Sequence, residues 1–420
     1  MKKTIDLLFC LWVICFTSTK LAASPESAFG GINPDQRIPI DSLDTDGDGS
    51  VDISEPGHYF LRDTLLVVND QWGGIVINTD NVTIDLNGFA ILAGTNAQVD
   101  GINVLGNHNN ITIENGTIAG FAGAGINGFN TNQSTFRNLI VRNNGFDGLV
   151  SNRNCLIVNC TVLSNGFDGL EVDEGSIIRD CTAAFNGDNG IEAGGGSMVY
   201  NCISYSNERD GIDVGDGSRV EGCMVYDNAQ LGLDVSISVL CLNNTAYRNG
   251  WSGIDVRNGG ITMNNVSNDN GVCIANGTCG LGMNGQGNDI DQGAGIRGAQ
   301  NMSLINNQCS GNYFGIVTTS SDNAIVNNNV QNNSHAGIIG VGVVGSVGSL
   351  FVGNTAEGNG FAQSPSVSNT DPQWGHPLGE IIFQINVQNN SGVGPIIDVS
   401  TSGDISTVMG ATHPFANFIY

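Results

Sequence analysis

Between Leu139 and Asp255, apolar residues alternate with polar ones in runs of three or four, as in Gly211-Ile212-Asp213-Val214, and each run is closed by Gly, Asn, Asp or Ser. Alternation with a period of two predicts strands, and no helical i, i+3, i+4 stripe occurs in the repeat. The runs also recur. Gly148-Leu149, Gly169-Leu170, Gly190-Ile191, Gly211-Ile212, Gly232-Leu233 and Gly253-Ile254 follow one another at a constant interval of 21 residues. A fixed period of this size marks a solenoid, in which a unit buries its apolar side only against the units before and after it.

Three short strands and three turns fit into 21 residues. One repeat is therefore one coil of an all-β solenoid, a parallel β-helix, with coils about 4.8 Å apart. Adding 21 reads off the vertical columns. Asn144, Asn165, Asn186, Asn207, Asn228, Asn249 and Asn270 form one, in which side-chain amides can hydrogen-bond from coil to coil. Cys160, Cys181, Cys202 and Cys223 form a second, continued by Asn244 and Asn265; Ser176, Ser197 and Ser218 form a third above Cys155. Tyr205, Tyr226 and Tyr247 form a fourth, suited to a sugar platform or simply to holding neighbouring coils together.

These rungs, Gly-[Ile/Leu]-x-Val with recurring asparagines, resemble the right-handed parallel β-helix repeat proteins, the pectate-lyase-like group that includes pectate lyases, polygalacturonases and related sugar-acting or sugar-binding proteins. The resemblance spans residues 58–360 and implies the right-handed sense, which spacing alone does not give. Early coils have longer turns, since Gly74, Gly101 and Gly125 lie 27 and 24 residues apart. Gly253 and Gly295 are 42 apart, so either a degenerate coil or a loop leaving the stack intervenes. Gly315 and Gly337 resume the pattern, Asn333 rejoins the asparagine column, and residues 361–420 lose the period. An open solenoid end exposes strand edges, so that last segment is expected to act as a cap.

Ahead of the coils, residues 24–57 form a separate segment around Asp44-Thr45-Asp46-Gly47-Asp48-Gly49-Ser50-Val51-Asp52-Ile53-Ser54-Glu55. Acids at positions 1, 3, 5 and 9, glycine at 6, an aliphatic at 8 and glutamate at 12 match the twelve-residue calcium loop, with Asp44, Asp46, Asp48, Ser50, Asp52 and Glu55 as ligands. Pro39 and Pro56 flank it, which excludes a paired helix-loop-helix and leaves an isolated calcium loop or a solvated acidic turn. Residues 1–23 combine a basic start, an apolar stretch from Leu7 to Phe16 and small residues near Ala23, the pattern of a cleaved secretory signal too short to span a membrane. No later stretch approaches a span. A secreted or cell-surface chain, present as a monomer, is expected.

The formal net charge is −26. Without residues 1–23 the cations are eleven arginines and no lysine, against 39 carboxylates. Such a surface excludes nucleic acid and anionic membranes as partners and suits divalent cations. Parallel in-register strands aim their β-carbons the same way, so the cysteine column predicts packed thiols rather than disulfides. Cys273 and Cys279, which flank an irregular insertion, are the disulfide candidates.

Candidate chemistry lies two residues after each repeat glycine. Glu171, Glu192, Asp213, Asp234 and Asp255 occupy five consecutive coils and should point outward between inward aliphatics. Like charges one rung apart cost on the order of 0.9 kcal/mol per pair in bulk water and several times more when half-buried. Asp168, Asp173, Asp210 and Asp216 thicken the face, with Arg209, Arg219 and Arg257 close in sequence. Such a row fits contact with extracellular polysaccharide. Asp213, Asp234 and Asp210 are the candidate catalytic carboxylates, since acids one or two rungs apart match the two glycosidase geometries. Alternatively, bound calcium could neutralise uronate carboxylates while an arginine abstracts a proton, as the pectate-lyase resemblance implies. The chain lacks the paired-aspartate and Gly-His-Gly motifs of polygalacturonases and the Asp-Pro-His-Asp of alginate epimerases. His58, His108, His335, His376 and His413 are scattered without ligand spacing. A repeat copied with its surface acid would produce the same row in a purely structural or adhesive protein, and that reading stays open beside binding and catalysis.

Overall fold

The computed structural model describes residues 37–43, 50–68, 73–94, 99–271, 293–320, 322–334, 336–342, 350–357, 359, 379–385 and 396–401. Residues 1–23, Asp44, Asp46 and Asp48 of the calcium loop, Cys273, Cys279, His335, His376 and His413 lie outside them. Each coil of the regular zone contributes three short strands, for instance Leu170–Val172, Ile177–Arg179 and Thr182–Ala184. All pair in parallel with the equivalent strands of the next coil, in the register that adding 21 predicts: Leu170 with Ile191, Ile177 with Met198, Thr182 with Ile203. Among the described residues the first strands stack into a sheet of 14. Second and third strands share one larger sheet, because in the early coils a single long strand, Ile111–Ala119 or Thr135–Arg142, runs through both positions.

A narrow core follows from the alternation. The first strand buries its two outer residues, as Leu170 and Val172 do, whereas the second and third bury the middle one, as in Ile178 and Ala183. The repeat glycines sit where the chain turns into the first strand with its neighbours pressed close. A β-carbon at Gly148 would lie 2.6 Å from the Gly169 carbonyl and 2.7 Å from the Asn165 amide nitrogen, so no side chain fits.

The asparagine column is a continuous buried ladder. Each Nδ2 from Asn144 through Asn249 donates to the Oδ1 of the next coil at 2.9–3.1 Å, and the backbone N–H of each residue donates to that same oxygen. One side chain thus satisfies turn donors that burial would otherwise orphan. The cysteine column packs as free, buried thiols, and Cys223 passes its backbone N–H to Asn244, which opens a second asparagine ladder through Asn265, Asn307 and Asn328. Ser176, Ser197 and Ser218 accept backbone N–H groups from the coil below, beginning with Cys155.

At the 42-residue interval, Ile254 pairs directly with Ile296 and Asn270 donates to Asn312. No coil is interposed between these neighbours. Stacking also reaches beyond the predicted span. Val51–Ile53 pairs with Ile75–Ile77 below residue 58, and Gly379–Ile385 and Ile396–Thr401 pair with preceding strands inside the segment expected to cap.

Asn207→Ala removes the acceptor used by the Asn186 N–H and amide and is expected to lower stability by at least about 2 kcal/mol. Thr182→Ala, on an outward position, should change it by no more than about 0.5 kcal/mol. Chemical denaturation midpoints check both; equal midpoints would contradict the ladder's role.

Candidate functional site

Val150, Glu171, Glu192, Asp213, Asp234, Asp255 and Arg297 pair rung on rung at the centre of successive first strands. The five predicted acids therefore form one vertical row, each half-buried between inward aliphatics. They are more covered than simple outward pointing suggests: the side chains of Asp234 and Asp255 are 14% and 13% exposed. Arg257 approaches Asp234 at 3.3 Å and Arg297 approaches Asp255 at 2.6 Å, at the upper end of the row.

A second column runs beside it, three residues earlier in each coil: Asp147, Asp168, Asn189 and Asp210. Their side-chain oxygens accept the backbone N–H of the next coil, Asp147 from Asp168 (3.0 Å), Asp168 from Asn189 (2.7 Å), Asn189 from Asp210 (3.1 Å) and Asp210 from Leu231 (2.7 Å). Those bonds hold the carboxyls against the first row. Two groups result, Asp147 with Asp168 and Glu171, and Asp210 with Asp213 and Asp234, each with one oxygen per residue mutually within 4.8 Å. All three catalytic candidates from the sequence thus meet at one point.

Burial is the main force on their protons. It raises Asp168 to about 8, with Glu192 adding repulsion, and raises Glu171 to about 7, with Asp147 and Glu192 adding to it. Asp213 rises to about 7 through burial and the charge of Asp234, and Asp210 to about 6 through burial. Asp147 and Asp234 are also raised by burial, but Arg257 opposes the rise at Asp234. Close carboxyls without enough cations keep protons that water would remove.

Open cavities of about 730 Å³ and 300 Å³ adjoin along this face. Asp147, Glu171, Phe129 and Phe146 line the larger, together with the amides of Asn103 and Asn127. Glu171, Glu192, Asp213 and Asp173 line the smaller, again with Phe129. Phe146 and Phe167 stack at 5.2 Å with an interplanar angle of 11°, although 53% and 47% exposed. The sequence reading missed these rings and Asp147. Their signal is the twice-written Asn-Gly-Phe-Asp-Gly-Leu at 144–149 and 165–170. Arg219 does not join the face: it lies on a second strand, in the other sheet, paired with Glu221. Arg209 does approach, bound to Asp188 at 3.0 Å. His108 pairs with Asp80 and takes no part in either carboxyl group. Within the calcium loop, Asp52 and Glu55 are exposed on either side of buried Ile53. No helix among the described residues is long and apolar enough to cross a membrane.

No curated protein sequence matches the chain. Among solved structures, the A-module of an Azotobacter vinelandii mannuronan C-5 epimerase is similar over 87% of this chain and 99% of its own, at 16% identity and a TM-score of 0.48. The catalytic domain of an α-1,3-glucanase in complex with tetrasaccharides covers 76% of this chain and 64% of its own, at 15% identity and a TM-score of 0.39. A pectate lyase covers 78% and 86%, at 14% identity and a TM-score of 0.34. The family described as the right-handed β-helix region matches residues 65–198 and 149–291, more than half of the chain. Matched span and parallel one-coil register agree: this chain belongs to the right-handed β-helix family.

Proposed function

We propose that this is an exported protein that contacts extracellular polysaccharide along the first-strand face, with a glycan seated beside Phe129, Phe146 and Phe167 and along the carboxyl row. The observation that carries the reading is one groove lined by Phe129, Phe146, half-buried carboxyls and amides, with exposed Phe167 stacked on Phe146. Aromatic rings offer an apolar face to pyranose C–H groups, and carboxyls and amides pair with hydroxyls. Rungs about 4.8 Å apart repeat at close to the length of one sugar unit.

A hydrolytic role on the same face is the second reading. Asp213 and Asp234 stand one rung apart, the shorter of the two glycosidase separations. Burial raises both carboxyls, and at Asp234 the bound Arg257 opposes the rise, so Asp213 suits the acid and Asp234 the nucleophile. The twelve-residue loop is proposed as a calcium site through Asp44, Asp46, Asp48, Ser50, Asp52 and Glu55; its charge and spacing support this.

Phe146→Ala combined with Phe167→Ala is expected to weaken polysaccharide affinity on the order of tenfold in calorimetry against a glycan panel. Undiminished affinity would move the site elsewhere. Release of reducing ends, abolished by Asp213→Asn, would establish the hydrolytic reading; neither binding nor turnover would leave a structural or adhesive protein. Calcium titration should give one site that Asp44→Ala and Glu55→Ala abolish, and an unchanged isotherm would refute the loop.

The raised carboxyls also predict a pH dependence. A carboxyl whose folded pKa lies above its unfolded value holds a proton that the unfolded chain gives up. Its stabilising contribution is therefore full below about 4 and is lost as pH rises through about 7 to 8 at Glu171, Asp213 and Asp168. Asp168→Asn keeps an acceptor for Asn189 and should stabilise the protein above about pH 8, with the gain vanishing toward pH 4. Denaturation series across pH check it; a gain independent of pH would contradict the assignment.

A further inference from the structure

The outer face of the second and third strands differs from the rest of the surface. Ile177, Met198 and Ile261 stand in one column, with Arg219 and Leu240 between the last two, and Ile203 and Met224 stand in another; these five apolar side chains are each 37–42% exposed. Tyr205, Tyr226 and Tyr247 stack beside them at 4.9 and 4.8 Å. Phe185, 55% exposed, packs edge-on against Tyr205. Its backbone holds φ at 58°, in the left-handed region, where the equivalent turns carry Ser164, Ser206, Asp227 and Arg248. A bulky side chain is uncommon in that region.

Ion pairs offset the charges of this face, whereas on the opposite one Arg209, Arg257 and Arg297 are outnumbered by the carboxyls of the row and of the column beside it. Arg179 pairs with Asp180, Arg219 with Glu221 and Arg248 with Asp227, at 2.6–2.7 Å. The chain carries a net charge of −26, and its unbalanced carboxyls crowd the first-strand sheet. Two copies approaching by that sheet would repel each other; approaching by the far face they bring together neutral apolar surfaces. An anionic membrane is disfavoured by the same net charge.

We propose that, in place of the monomer expected from the sequence, the outer face of the second and third strands is a self-association surface, on which a second copy of this chain docks through the same patch. Five coils in height and both strands in width give roughly 600 Å². Two such patches bury roughly 1,200 Å², the lower limit for a stable protein interface. Contact of one patch with itself is isologous and closes at two copies. Met198, Met224 and the tyrosine stack lie at its centre, with residue types that interface cores favour. Docking by this face leaves the carboxyl row and the phenylalanine groove on the outside of the pair.

Sedimentation velocity on the full chain should show a particle of twice the chain mass. Met198→Glu with Met224→Glu should return it to single-chain mass with an unchanged circular dichroism spectrum. Leu66→Glu, at an exposed apolar residue outside the patch, should leave the pair intact. Independently of any variant, peroxide oxidation of Met198 and Met224 should slow several-fold as protein concentration rises through the dissociation constant, while buried Met302 stays protected throughout. The inference is overturned by a chain that remains single at about 100 μM, by a pair that survives the double substitution, by oxidation that ignores concentration, or by binding to neutral lipid vesicles in place of pairing.

Discussion

Everything in this molecule depends on one coil lying on the next in register. A coil is too thin to bury anything by itself: its core is one or two side chains from each of three strands, and all of its strand hydrogen bonds run up or down to other coils. The asparagine ladder shows what that register is worth. In the turn before the first strand, the N–H of Asn186 has no strand partner and is buried. The Oδ1 of Asn207 accepts it while also accepting the amide of Asn186. Slip the coils by one residue and the donors of the turn lose their acceptors along the whole column. The glycines leading into the first strand express the same closeness, since at Gly148 the next coil leaves no room for a β-carbon.

Register that stabilises the inside imposes repetition on the outside. A carboxylate at one rung meets a carboxylate at the next, and the twin column of Asp147, Asp168 and Asp210 is pinned against the row by backbone N–H bonds. Those carboxyls cannot splay freely into water, so the repulsion is relieved by protons instead. Around Asp234 and Asp255 the relief comes from Arg257 and Arg297, and the face therefore grades from proton-holding to charge-paired along its length. The phenylalanine pair lies at the proton-holding end, where an uncharged carboxyl can donate a hydrogen bond as well as accept one.

Periodicity in the sequence reveals vertical neighbours and little else, which explains what could be read from it. Glycines, asparagines, cysteines and the acid row were legible because each repeats at 21. Lateral neighbours were not. Asp168 and Glu171 converge across the bend into a strand, which no addition of 21 discloses, and Arg219 is close to Asp213 in the chain yet belongs to another sheet. Phe146 and Phe167 escaped notice because a column of two does not look like a column, although the six-residue phrase around them is repeated. Irregular intervals were ambiguous for a related reason: a gap of 42 equals two coils, and only the direct pairing of Ile254 with Ile296 shows that no coil is interposed between them.

The chemistry of this face depends on stacking that forces these carboxyls to hold protons near neutrality. Carbon-13 titration of aspartate and glutamate side-chain carboxyls in the intact protein measures this directly. Resonances should titrate at about 7 to 8, from Asp168, Glu171 and Asp213, and the highest of them should vanish in Asp168→Asn. If every carboxyl instead titrated below about 5, near the value of an isolated side chain, the row would be merely a solvated surface and the groove would lose its chemistry.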